Sequence, residues 1–236
     1  MNTLHFESID STNTYLKNNY QYLDDLTFVS AGNQTQGKGR NNRTWYSENN
    51  NLLFSLLIKN DLYFDKTNDI SIIAAYSILE VLRECNIEDV SIKWPNDVYV
   101  GDKKICGILL EAISKSNIEC LIIGVGINVN QCVFDKEYIH EPTSMKLILN
   151  NDVDISKLKE KVYLKLIDNL DKLNNHYDFY QNICKYDYLK NKEVYALINN
   201  EKQLVKVKGI NKDYTLCVNY NDSEINLNSG EISFHI

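Results

Sequence analysis

The sequence has no run of about 18 apolar residues that could cross a bilayer as a helix, and its first residues, MNTLHFESIDSTN, show no basic segment followed by an apolar one. These two absences argue against a helical membrane protein and a secretory leader, and they predict a cytosolic protein with no membrane partner. The six cysteines (Cys85, Cys106, Cys120, Cys132, Cys184, Cys217) include no C-x-x-C pair and no ligand-like spacing to any of the four histidines. No disulfide framework and no protein-held metal is therefore expected; buried free thiols are. Positive charge is scarce as well. A formal net charge of −7 argues against a general nucleic-acid binder, which needs clustered Lys and Arg against phosphates.

What is present is enough for one substantial globular domain and a small appendage: 236 residues, 44% of them hydrophobic and 24% charged. One stretch departs from the acidic balance. Leu26 to Ser47 contains no acidic residue, yet it holds Lys38, Arg40 and Arg43. A short, purely cationic loop in an acidic protein points to a local anionic ligand.

Local patterning gives a coarse fold. LHF reads as a strand, and Ser11 as the N-cap of a helix through Thr14, Tyr15 and Leu16. LTFVSA reads as a second strand, Gly32 to Asn50 as a long loop of the kind that binds ligands or closes over them, and NLLFSLLI as a buried strand. Apolar residues at Ile70, Ile73, Ala74, Ile78, Val81 and Leu82 predict a helix over 66–85. VSIKW, ICGILLEAI and CLIIGVGINVN read as three strands, the first two joined by a turn at Gly101 and Asp102. A long helix is expected along Ile155, Leu158, Val162, Leu166, Leu170, Leu173, Tyr177 and Tyr180. After Asn191 the pattern becomes five short β-runs (VYALI, LVKVKGI, TLCVNY, EINL, EISFHI), which suggests a small barrel. The class is thus α+β, a mixed sheet with packed helices and a β module, divided at 1–188 and 189–236.

Three clusters carry possible chemistry. Gly37 to Trp45 combines two glycines, three cations and a tryptophan, which suits a phosphate or carboxylate but also suits a plain solvated connection. It is not a Walker loop, because G-x-x-x-x-G-K-[ST] is absent. Lys93 lies between Ile92 and Trp94 in Lys93-Trp94-Pro95-Asn96-Asp97, so alternation turns it away from its apolar neighbours, either into a cleft or onto the surface. Gly124-Val125-Gly126 ends an apolar strand, where glycine often marks close approach of a ligand.

Together these clusters resemble the catalytic domain of biotin–protein ligases. The family's pieces occur in order: D-S-T-N (Asp10 to Asn13), the G-[RK]-G-R-x-x-R-x-W loop (Gly37 to Trp45), K-W-P-N-D (Lys93 to Asp97), K-x-x-G-I-L-x-E (Lys104 to Glu111), G-x-G-I-N-x-N (Gly124 to Asn130), and T-S after Pro142. Ser229 to Ser233 resembles the end of the family's SH3-like barrel. The resemblance implies a class II synthetase-like fold and an enzyme that makes biotinyl-adenylate from biotin and ATP with Mg2+. That enzyme then biotinylates a lysine of a biotin carboxyl carrier protein. It further implies a biotin pocket lined by Ser11, Thr12, Asn13, Gln34, Lys38, Gly39 and Gly107. Arg40 and Lys93 would be the catalytic cations, both also touching biotin. Arg40, Arg43, Trp45, Asn96 and Asn128 would serve ATP and the adenylate, with Trp94 helping to enclose it.

Asn42 stands where the family usually has glycine, and asparagine is the residue best able to keep a left-handed turn there. With D-S-T-N beginning at Asp10, no DNA-binding domain and no repressor function are expected. Exposed strand edges could pair with the acceptor or with a second copy in a homodimer. The competing readings are a lipoate or octanoyl ligase or transferase and a non-catalytic nucleotide-binding regulator.

Overall fold

Apolar alternation, broken by glycine at a few positions, shapes the large sheet. The computed structural model describes residues 2–46, 50–199 and 201–228. Its strands are β1 (Thr3–Ile9), β2 (Phe28–Gln34), β3 (Leu52–Ile58), β4 (Val90–Lys93), β5 (Asp97–Val100), β6 (Lys103–Ser114) and β7 (Ile118–Ile127), in the spatial order β1-β2-β3-β7-β6-β5-β4. β1 runs parallel to β2 and the remaining pairs are antiparallel, so the sheet is mixed as expected. Residues of β3 are buried throughout because helices cover both faces.

One face receives α1 (Thr12–Asn19), whose Leu16 packs with Val29, Leu57, Cys120 and Ile122. Ser11 caps this helix as the sequence predicts: its Oγ accepts from the Thr14 N–H at 3.4 Å. The opposite face receives α2 (Thr67–Glu84), which buries Ile70, Ile73, Ala74, Ile78, Val81 and Leu82 against the sheet and against α4 (Ile155–Asn174), while the short α3 (Met145–Leu149) adds Met145 to the same core. Each large aliphatic side chain buried there contributes about 1.5–3 kcal/mol before conformational entropy is counted.

Two expectations are corrected. The turn at Gly101 and Asp102 does not follow VSIKW directly; it joins β5 to β6, because Asp97–Val100 forms a strand of its own behind the turn at Trp94 to Asn96. Four residues were too few for alternation to reveal. The long helix stops at Asn174, so Tyr177 lies beyond it and Tyr180 starts α5 (Tyr180–Cys184). His176 is left-handed (φ 60°), its N–H donates to Leu173 O at 3.2 Å, and the Tyr177 N–H donates to Lys172 O at 2.9 Å. That pair of bonds is a Schellman stop, which takes up the last carbonyls and ends the helix. In the cationic loop Asn41 is left-handed (φ 55°).

The C-terminal part is a four-stranded antiparallel sheet of β8 (Glu193–Ile198), β9 (Glu201–Ile210), β10 (Leu216–Tyr220) and β11 (Ser223–Leu227), in the order β11-β10-β9-β8. The fifth run, EISFHI, and the Ser229 to Ser233 match lie outside the described residues. Trp94, 3% exposed, ties the two sheets together: its indole N–H donates to Tyr214 O at 2.8 Å. Among the described residues no helix is long and apolar enough to cross a membrane.

Candidate active site

The site arises where side chains are missing from an otherwise packed face. Along β7, Cys120 and Ile122 fill the space beneath α1, but the next two residues on that face are Gly124 and Gly126. Across the ladder Gly126 pairs with Gly107, which pairs with Asp97, which pairs with Lys93. This row across four strands is the floor of a cavity of about 360 Å³. The bare glycines let the side chains that line the cavity lie directly on this floor. A Cβ on Gly124 would lie 2.2 Å from Asn13 Oδ1, and one on Gly126 would lie 2.5 Å from Trp45 Cε2.

At one end, the start of α1 supplies neutral polar groups. The Gln34 Oε1 accepts from the Thr12 N–H at 2.7 Å and from Thr12 Oγ1 at 3.1 Å. Ser55 Oγ lies 2.6 Å from Thr12 Oγ1 and 2.5 Å from Asn13 Oδ1, while Asn13 Nδ2 donates to Glu111 Oε2 at 2.8 Å. Every member of this network fixes the next, so the pocket wall is held before any ligand arrives.

At the other end stands Lys93. Val90 and Ile92 enter the core beneath α2, which sends Lys93 to the cavity face, where it is only 3% exposed. Its Nζ donates to His140 Nε2 at 3.1 Å and to Tyr99 Oη at 3.4 Å. Burial pushes the Lys93 ammonium down to about 7; Asp97 opposes that shift, and Lys104, Arg43 and Lys192 add to it. Asp97 is itself engaged by Lys104 at 2.8 Å.

The cationic loop folds over the floor as a small hairpin, with Gly39 N–H donating to Arg43 O at 2.8 Å and Trp45 N–H to Gly37 O at 3.0 Å. Gly37 is needed there, since a Cβ would meet Trp45 O at 2.4 Å. Gly39 has no such requirement: its Cβ would make ordinary contact at 3.5 Å. Arg40 Nη1 donates to Asn96 Oδ1 at 3.1 Å, and burial lowers the guanidinium from its ordinary value, with Asp97 opposing. The indole of Trp45 lies over Gly107 and Gly126, and its buried N–H has no hydrogen-bond partner among the described residues.

The residues to which the resemblance gives a site role line this one cavity: Ser11, Thr12, Asn13, Gln34, Lys38, Gly39, Arg40, Arg43, Trp45, Lys93, Trp94, Asn96, Gly107 and Asn128. Two of them have amides already committed to the scaffold. Asn128 Nδ2 donates to Thr143 O at 3.0 Å, and Asn96 Nδ2 to Ile108 O at 2.6 Å. Ser55, Tyr99 and His140 were not identified from the sequence. Ser55 had a signal, a lone hydroxyl inside LLFSLLI; Tyr99 and His140 had none, because each reaches Lys93 only through the fold. The arrangement suits a ligand with a neutral polar group beside α1 and an anionic group between Lys93 and Arg40.

Comparison with known proteins agrees with this geometry. The biotin/lipoate A/B protein ligase family profile matches residues 5–128. The bifunctional ligase/repressor BirA of Bacillus subtilis is 39% identical over 107 residues, 44% of this chain and 33% of that protein. The biotin–[acetyl-CoA-carboxylase] ligase of Paracoccus denitrificans is 30% identical over 123 residues, 51% of each chain. The matched segments thus span a third to a half of these curated relatives. The structure of a biotin protein ligase from Aquifex aeolicus in complex with biotin and ATP superposes with a TM-score of 0.88 at 30% identity, covering 98% of this chain and 97% of that one.

Proposed function

The chain belongs to the biotin/lipoate A/B protein ligase family, and on that premise we propose that it is a biotin–protein ligase, forming biotinyl-5′-adenylate from biotin and Mg-ATP and passing biotin to a lysine of a biotin carboxyl carrier protein. The observation that carries this reading is a buried lysine at the end of a glycine-floored cavity that Arg40 also lines, with a pre-fixed polar wall at the far end.

In the first step a biotin carboxylate oxygen attacks the α-phosphorus of ATP, and the bond to pyrophosphate breaks. Lys93 and Arg40 hold the carboxylate and the charge that builds on the phosphoryl oxygens, which is worth most in a site with little water. Ser11, Thr12, Asn13 and Gln34 grip the neutral bicyclic head of biotin, with Gly107 and the backbone of Lys38 and Gly39 close to its chain. Arg43, Trp45, Asn96 and Asn128 border the nucleotide. In the second step the neutral amine of the acceptor lysine attacks the acyl carbon and AMP leaves with the former carboxylate oxygen. The hairpin over the floor shields the mixed anhydride from water, and its opening admits substrates. Reduced protease cleavage there on addition of biotin and ATP is the expected sign.

We assign 1–188 to the catalytic domain and 189–236 to an SH3-like module; the four antiparallel strands β8 to β11 support that assignment. Six unpaired thiols suit the cytoplasm. β1, an edge strand among the described residues, offers a ladder to the acceptor or to a second copy of the chain. The test is exchange of labelled pyrophosphate into ATP. Exchange that requires biotin supports the proposal; exchange that requires lipoate or octanoate instead moves the protein to the sister activity, and no exchange with any acid overturns the enzymatic reading.

A further inference from the structure

Lys93 is met from the far side of the cavity by a residue that none of the motifs contains. The segment between β7 and α3 is pinned to β6 on both sides of Pro142, directly after His140: the Lys104 N–H donates to Glu141 O at 2.8 Å, and the Thr143 N–H donates to Lys104 O at 2.9 Å. This anchoring fixes where the imidazole sits, with its Nε2 3.1 Å from Lys93 Nζ. Tyr99 completes the seat, with its hydroxyl at 3.4 Å and its ring centroid at 5.3 Å from the same nitrogen. Tyr99 is backed in turn by the stacked ring of Tyr188 at 4.8 Å.

We propose that His140 is a positioning residue for Lys93: its neutral imidazole accepts one ammonium N–H through Nε2 and holds that flexible side chain along the floor, leaving another ammonium donor for the anionic group of the substrate. The proposal rests on the reading of this cavity as a carboxylate-activating site. An ammonium has three donors and no acceptor, so an acceptor is what holds it, and a lysine stem left free would sample many rotamers. The imidazole must then be neutral with its proton on Nδ1, since a second cation at that distance would expel the first. Its surroundings keep it so. Burial first, then the charge of Lys93, push His140 down to about 4, with Lys104 and Arg43 adding and Asp97 opposing. Lys93 faces the same Asp97, Lys104 and Arg43, together with Lys192.

The test is side-chain NMR titration of the whole protein, in which His140 is one of four histidines and is assigned by its absence in His140→Gln. The expected result is an imidazole that stays neutral down to about pH 5, with a midpoint that moves upward in Lys93→Met. A His140 that titrates near 6.5 in the native protein, or one that ignores Lys93→Met, overturns the proposal. This arm needs no substrate, so it fails or holds independently of biotin ligation. Kinetics add a second arm. His140→Ala should raise the KM for biotin about tenfold or more, the usual loss for a hydrogen bond to a charged group. His140→Gln, whose amide oxygen can accept in place of Nε2, should recover most of that loss. Equal loss in both variants at unchanged melting temperature contradicts the positioning role.

Discussion

One face of β7 contains both a piece of core and a piece of active site, and the two differ only in whether side chains are present. Cys120 and Ile122 fill the space under Leu16 of α1, whereas Gly124 and Gly126, two and four residues further along, leave it to the Asn13 side chain and the Trp45 indole, which line the cavity. The backbone ladder runs through both halves without a break. A pocket can therefore be cut into a sheet by deleting side chains from a row, while the hydrogen-bonded frame that holds Lys93 and Asp97 in place is kept. Stability and chemistry are separable along a single strand.

That separation can be broken at either end. Ile122→Ala, in the filled half, should cost about 2–5 kcal/mol of folding stability by leaving a cavity, read as a lower denaturation midpoint, with the KM for biotin unchanged. Lys93→Met, at the end of the open row, should leave the midpoint within about 1 kcal/mol and lower adenylate formation about 10²- to 10³-fold, the usual cost of losing one charge-stabilising group. A large loss of stability in Lys93→Met would mean that the lysine is structural. Gly124→Ala should cost about 10²-fold in rate by displacing Asn13 and the polar wall, together with about 1–3 kcal/mol of stability for the overpacking.

The smallest effect expected is one of pH. Lys93 is charged below about 7 and neutral above it in the free protein, and an anionic ligand favours the charged form. Binding above that pH must take up a proton, so the affinity for biotin should fall by up to about tenfold per pH unit there. Calorimetry in two buffers of different ionisation enthalpy would register the proton, and Lys93→Met should abolish the uptake. An affinity flat from pH 7 to 9 would contradict the depressed ammonium.

Much of this was legible in the sequence, for identifiable reasons. Alternation placed Lys93 opposite Ile92, the N-cap rule placed Ser11, and helical spacing placed α2 within a residue or two at each end. What was hidden depended on geometry the pattern does not encode. β5 is four residues long and sits between two turns, so it gives no periodic signal. The end of α4 rests on His176 in a left-handed conformation, which its residue type does not announce. Tyr99 reaches Lys93 through strand pairing, and His140 reaches it from a segment 47 residues further along the chain. The residues given site roles came out together in one cavity; their immediate partners had to be seen.

The most direct measurement is the intact mass of a purified apo biotin carboxyl carrier domain after incubation with this protein, biotin and Mg-ATP, beside a control lacking ATP. An ATP-dependent gain of one biotin on the carrier, absent with Lys93→Met, is the expected result. A carrier that stays unmodified with the native protein, or is modified equally well by Lys93→Met, would contradict the assignment of this cavity as a biotin-activating site.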